Sequence, residues 1–246
     1  MDKFYSDVAA AVAAIIIATV LIFLVKAIMR SRRRSVGAVD VSIARAVKWE
    51  WSIAFAGDIP PEAREIEGKE ISARKVYDLL VAHGGVDIGA TRLRLTVRGL
   101  CDETVIIRNI RVIAKKSMPL SGTLICCPNA GANESTVLAF NLEEPMPIAR
   151  EFREDDESEK TEAFFDRNNV TLIQNEVHDF IIVGKTTKSL VNWRLYLDLE
   201  VGHNSQTIEI DDDGKPFKTT AYPTGGFANA LEWAWYEDRR FQSVSK

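Results

Sequence analysis

At 246 residues, 46% hydrophobic and 27% charged, the chain can bury a sizeable core in one large domain or two small ones, which excludes disorder as its global state. The formal net charge is −4, but residues 35–246 carry 25 basic against 33 acidic side chains, about −8, the wrong sign for a nucleic-acid or phosphate binder. Three cysteines, Cys101, Cys126 and Cys127, are an odd count with two adjacent, so no paired disulfide framework is expected and the thiols read as reduced.

After a short tail (residues 1–7), Val8 to Val25 holds no charge and one polar side chain, Thr19. These 18 residues make about 27 Å of helix, and continuing to Met29 with Lys26 snorkelling gives about 33 Å, against a hydrocarbon thickness of ~30 Å. A transmembrane helix is therefore predicted over 8–29. A buried helix of a soluble protein fits less well, because there is no polar stripe and Arg30, Arg32, Arg33 and Arg34 follow at once. A cleavable signal would need a basic region before the apolar run, whereas Lys3 stands there against Asp2 and Asp7. Topology follows from Lys26, Arg30, Arg32, Arg33 and Arg34: basic side chains flanking a span stay in the cytoplasm, so the C-terminal bulk is expected there, with the bilayer as its first partner. The arginines read as topology determinants rather than a lipid site, although each is worth ~1 kcal/mol near an anionic leaflet.

Residues 30–48 read as a basic juxtamembrane linker and 49–224 as a β-sandwich domain. Trp49, Trp51, Ile53 and Phe55 alternate with polar or small residues as in a strand, stopped by Gly57, Asp58, Pro60 and Pro61. The charged stretch 62–70 reads as a loop or frayed helix. Ser72 is an N-cap for one short helix over 73–83, closed by Gly84 and Gly85. Strands are then expected at 92–98, 104–114, 123–127, 136–142, 170–174, 177–183, 193–201, 207–210 and 217–222; the cleanest has Trp193, Leu195, Leu197, Leu199 and Val201 on one face. Many short strands with almost no helix predict a mainly β chain, an Ig-like two-sheet sandwich, with two smaller β domains meeting near 150–162 as the alternative. Residues 151–162 carry seven acids and read as a solvated acidic loop before a docking patch for a basic partner. The aromatic segment 225–246 is expected as an amphipathic helix or final strand packed on the sandwich, or else as a partner surface at Trp233, Trp235 and Tyr236.

Catalytic signatures are sparse. His83, His178 and His203 have no ligand-like spacing to one another or to a cysteine, and no nucleophile elbow, phosphate loop or dinucleotide turn occurs. Glu209, Asp211, Asp213 and Gly214 imitate the first half of a calcium loop, but Thr220 stands where a bidentate Glu is required and Lys215 and Lys218 repel a cation. Asp213-Gly214 is read as a hairpin turn between 207–210 and 217–222. No metal or cofactor is expected. Were the chain an enzyme, Asp87, His178, Asp179 and His203 would be the first residues to converge.

Three stretches, His83-Gly84-Gly85-Val86, Pro119 to Leu124 and Ile210 to Ala221, resemble a group of uncharacterised actinobacterial single-pass membrane proteins with one extended β domain. The resemblance implies anchorage and architecture and carries no catalytic residue with it. Together these readings predict a non-enzymatic protein-interaction or scaffold module at the membrane, with a protein partner; an outward-facing ligand-sensing domain and a membrane-tethered enzyme are the alternatives.

Overall fold

The computed structural model describes residues 33–47, 50–127, 137–153, 159–234 and 239–244. The predicted span 8–29, with Lys26, Arg30, Arg32, Trp235 and Tyr236, lies outside the described residues, among which no helix is long and apolar enough to cross a membrane.

The described chain is mainly β, with two sheets in a sandwich-like arrangement. Sheet one is built from β1 (Arg33–Val36), β2 (Val39–Arg45), β5 (Ala90–Gly99), β12 (Val177–Lys185), β8 (Val137–Asn141), β9 (Arg150–Phe152) and β10 (Glu159–Ala163), in that spatial order. Its pairs are antiparallel except β12 with β8. Sheet two runs β11 (Val170–Leu172), β6 (Val105–Ser117), β13 (Leu190–Val201), β15 (Phe217–Thr220), β4 (Val86–Ile88), β3 (Trp51–Phe55), β7 (Thr123–Cys127), β16 (Asn229–Trp233) and β17 (Phe241–Ser243), with β14 (Asn204–Ile210) also on β13.

Alternation in the sequence places the main core. On β5, Leu93, Leu95 and Val97 are fully buried while Arg94 and Arg98 are exposed; on β13, Val191, Trp193, Leu195, Leu197 and Leu199 turn the same way. These residues meet Phe180, Ile182, Phe140, Ile107 and Ile110 in one apolar cluster between the sheets. Each fully buried aliphatic side chain of this kind contributes ~1.5–3 kcal/mol.

Sheet two continues beyond that cluster, and its far half is covered by helix. α1 (Pro61–Arg64) and α2 (Ala73–Ala82) pack Ala63, Val76, Tyr77 and Leu80 onto Trp51, Ile53, Ile125 and Trp233, forming a second core. α2 is the helix expected from the sequence: Ser72 Oγ accepts from Lys75 N at 3.3 Å, and His83 is the C-cap. A third short helix, α3 (Phe164–Arg167), follows β10.

Several expectations are corrected. The 30–48 stretch is not all linker, because β1 and β2 are the edge of sheet one and Val39 and Val41 are buried in its core; Arg33 and Arg34 fall in β1. Trp233 is not a surface residue: it is fully buried, its ring 5.0 Å from Phe241, because β16 pairs parallel with β7 within sheet two and its indole joins the second core with Ile125 and Leu80. Ten strand stretches undercount the described strands, which also include β1, β2, β4, β9 and β10. The ends of the acidic stretch 151–162 pair as β9 with β10, and Glu151, Glu159 and Glu162 each hold a cation (Lys160, Lys185 and Arg167).

Asp213-Gly214 does form a tight turn, with φ of 53° and 87°. However, β14 and β15 do not pair with each other. Both lie antiparallel to β13, β14 along Leu195–Val201 and β15 along Leu190–Trp193, so residues 211–216 are an excursion from one continuous edge. Arg194, opposite the gap, donates to Gly214 O at 3.3 Å.

Candidate functional site

The most elaborate buried polar arrangement lies where the two sheets meet the helix. Arg45 closes β2 in sheet one, Asp87 is the middle residue of β4 in sheet two, and Tyr77 comes from the inner face of α2 beside Val76 and Leu80. Asp87 Oδ2 accepts from Arg45 Nη1 at 2.8 Å and from Thr91 Oγ1 at 2.9 Å, and Oδ1 accepts from Tyr77 OH at 2.8 Å. Arg45 turns its other nitrogen to Asp212 Oδ2 at 3.0 Å, reaching the 211–216 excursion. The polar path continues inward: Thr219 Oγ1 donates to Thr91 Oγ1 at 2.8 Å, and Trp193 Nε1 donates to Thr219 Oγ1 at 3.0 Å. The Thr91 hydroxyl is also 2.9 Å from Lys218 O, so its single proton serves Asp87 or that carbonyl, one at a time.

Burial pushes the Asp87 carboxyl above the ordinary carboxylate range, opposed by Arg45 and by the hydrogen bonds of Tyr77 and Thr91. For Arg45, burial works downward, but Tyr77, Asp87 and Asp212 outweigh it and hold the guanidinium above its ordinary value. The Tyr77 phenol is raised by burial and by the Asp87 charge. With three donors on its two oxygens, Asp87 is a fixed acceptor hub that ties sheet one, sheet two and α2 together.

Two cavities flank the hub. One of about 480 Å³ is lined by Arg45, by apolar residues of both sheets including Ile43, Leu93, Ile208 and Ile210, and by Arg74 and Asp78 of α2. The other, about 360 Å³, is lined by Trp51, Tyr77, Asp87, Phe152, Lys185 and Tyr222.

The four residues named as a convergent catalytic set are spread through the fold. Asp87 contacts Thr91 at the start of β5, whereas His178 and Asp179 on β12 pair with Val97 and Thr96, about 17 Å further along β5 at strand rise. His178 packs 4.5 Å from the Phe180 ring, and Asp179 is exposed, accepts from Thr96 and lies 3.9 Å from Arg94. His203 is exposed in the β13–β14 turn, and His83 Nδ1 lies 2.8 Å from Leu79 O at the helix end. Among the described residues, no group of three or more His, Cys, Asp or Glu is placed to hold a metal. At the calcium-like stretch, Asp211 Oδ1 accepts from Gly214 N at 2.9 Å and Asp212 is engaged by Arg45.

Arg45, Tyr77, Thr91, Asp212 and Thr219 escape sequence reasoning because the contacts of the network span up to 167 residues and no fixed spacing announces them. A charged residue ending an alternating strand, as Arg45 ends β2, is the one local signal. Comparison with protein families, curated proteins and solved structures gives no match to this chain.

Proposed function

We propose that the chain is a single-pass, membrane-anchored β-sandwich of Ig-like character that works as a non-enzymatic protein-interaction or scaffold module, with its β domain on the cytoplasmic side. Anchorage is supported by the uncharged run Val8 to Val25, by the basic residues that follow it, and by the resemblance to actinobacterial single-pass proteins. The non-enzymatic reading draws on Asp87, whose carboxylate is engaged in cross-linking the fold through Arg45, Tyr77 and Thr91.

The observation that carries the interaction role is three exposed apolar side chains on loops that are hydrogen-bonded to the Thr186–Leu190 crossover between the sheets. Met118, Met146 and Tyr222 are 86%, 80% and 60% exposed. Their loops are tied to one another: Lys116 Nζ donates to Glu143 O, Glu143 accepts from Ser189 N at 3.0 Å, and Ala221 N donates to Ser189 O at 3.0 Å. Exposed methionines and an exposed tyrosine on loops framed in this way suit a protein partner, since both residue types are enriched at interfaces. A photo-crosslinker at position 118 or 146 in the full chain is expected to trap a discrete protein in membranes, and Met118→Lys with Met146→Lys is expected to abolish it. Recovery of nothing beyond the protein itself contradicts the reading.

The second reading, an outward-facing ligand-sensing domain, draws on the 360 Å³ cavity with Trp51, Tyr77, Phe152 and Tyr222 in its walls. Protease accessibility on unbroken cells separates the two.

A further inference from the structure

Aromatic rings from distant parts of the chain wall the 360 Å³ cavity. Trp51 opens β3, Tyr77 comes from the inner face of α2, Phe152 ends β9 and Tyr222 follows β15. The Tyr77 hydroxyl is held by Asp87 at 2.8 Å, and its ring meets Trp51 edge-on at 5.8 Å. Tyr222, 60% exposed, is the most open of the four and packs edge-on against Phe227 at 5.9 Å. Rings held in this way form their walls before a ligand arrives, and pre-formed cavities of ~300–1,000 Å³ with aromatic linings and a few polar groups are where small molecules bind.

Charge narrows the class of molecule. Aromatic walls suit a cationic ligand when a ring face is open to it. At Phe152 that position is taken, because Lys185 Nζ lies 3.6 Å from the ring centroid, steadied by Glu159 Oε1 at 2.7 Å. An ammonium carries three donors, so Lys185 keeps protons for a further acceptor. Arg92 brings a second cation to the lining. Of the two acids there, Asp87 is neutralised by Arg45 and already accepts from three donors, and Glu50 is exposed. Trp51 adds an independent observation: it is 6% exposed, and its indole N–H has no acceptor among the described residues. Buried donors are normally paired, so this one favours a ligand that brings acceptors with it.

We propose that the cavity binds a small planar aromatic molecule carrying a carboxylate or a similar anionic group, with its ring among the four aromatic side chains and its anionic end at Lys185. The inference rests on the ligand-site reading of this cavity given above and adds the chemistry of the ligand; it holds on either side of a membrane.

Calorimetric titration of the full chain in detergent, with titrations into empty micelles subtracted, tests it with three probes of one shape: naphthoate, its neutral amide and the matching naphthylmethylammonium. Naphthoate is expected to bind at least about tenfold more tightly than the other two, since a charge-assisted hydrogen bond is worth that much. Lys185→Met is expected to bring naphthoate down to the affinity of the amide, and Tyr222→Ala to weaken all three probes by about threefold or more. Binding of the ammonium as tight as that of naphthoate overturns the ligand class and leaves the cavity reading standing. No binding of any probe overturns both. Naphthoate binding that is unchanged in Lys185→Met and in Tyr222→Ala places the probe elsewhere on the protein and overturns the proposal.

Discussion

Arg45 and Asp87, 42 residues apart in sequence, form a 2.8 Å ion pair that fastens the last residue of β2 in sheet one to the centre of β4 in sheet two. Both are largely withdrawn from water, with side chains 14% and 9% exposed. Removing one partner leaves the other buried and uncompensated, which costs ~3–5 kcal/mol, whereas removing both with apolar replacements costs far less. Asp87→Ala is therefore expected to lower the unfolding free energy by about 3 kcal/mol or more, and Arg45→Met with Asp87→Leu by less than the sum of the singles. Urea titration of the unmodified protein, Asp87→Ala, Arg45→Met, Asp87→Leu and the double variant measures this. Strict additivity would mean that the pair does not act as a unit.

Gly184 on β12 lies across the sandwich from Trp193 on β13, and a Cβ at position 184 would stand 2.7 Å from Trp193 Cζ2. The indole is fully buried and its Nε1 donates to Thr219, so it cannot slide away without breaking that bond. Gly184→Ala is expected to destabilise by about 1–3 kcal/mol through overpacking. Combining it with Trp193→Phe should recover part of that loss in a thermal melt. An unchanged melt for Gly184→Ala alone would contradict the close approach.

Glu143 fixes the sheet-to-sheet crossover by accepting from Thr186, Lys188 N and Ser189. Burial pushes its carboxyl upward, but those hydrogen bonds and Lys116 outweigh it and hold the group below the ordinary glutamate range. A depressed folded value stabilises fully above the unfolded value and is lost as pH falls through the folded one. Glu143→Gln is expected to cost about 1–2 kcal/mol at neutral pH, with the gap to the unmodified protein closing below about pH 4. A gap that stays constant down to acid pH would assign the effect to shape alone.

Burial, with smaller contributions from Glu232 and Cys126, pushes the Cys127 thiol up to about 11. Cys101 is partly exposed in a loop. Near pH 8, a thiol reagent is expected to modify Cys101 on the folded protein while Cys127 waits for unfolding, because the thiolate is the nucleophile. Mass mapping of the labelled sites checks the order, and modification of Cys127 at the Cys101 rate would contradict the packing.

Elements with one strong local cause are legible in the sequence. The alternation of β5 and β13 and the Ser72 cap of α2 each announce themselves within a dozen residues. β2 carries the same alternation, Val39, Val41, Ile43, yet the arginine run before it draws the stretch into a linker reading. Trp233 lies in an aromatic segment with no clean period, and only the parallel pairing of β16 with β7 buries it. At Asp213-Gly214 the turn chemistry is local, but whether β14 and β15 pair is decided by β13, long enough at 12 residues to take both end to end. The Arg45–Asp87 hub is the extreme case, since its partners come from β2, α2, β4, β5 and the 211–216 excursion.

Anchorage of the sandwich rests on the apolar run Val8 to Val25 that precedes it. Alkaline carbonate washing of membranes holding the full chain is the direct measurement. The protein is expected to stay entirely in the membrane pellet, while Ile16→Asp with Leu21→Asp, which breaks the run, is expected to release it into the supernatant. Release of the unmodified chain would contradict the anchored reading.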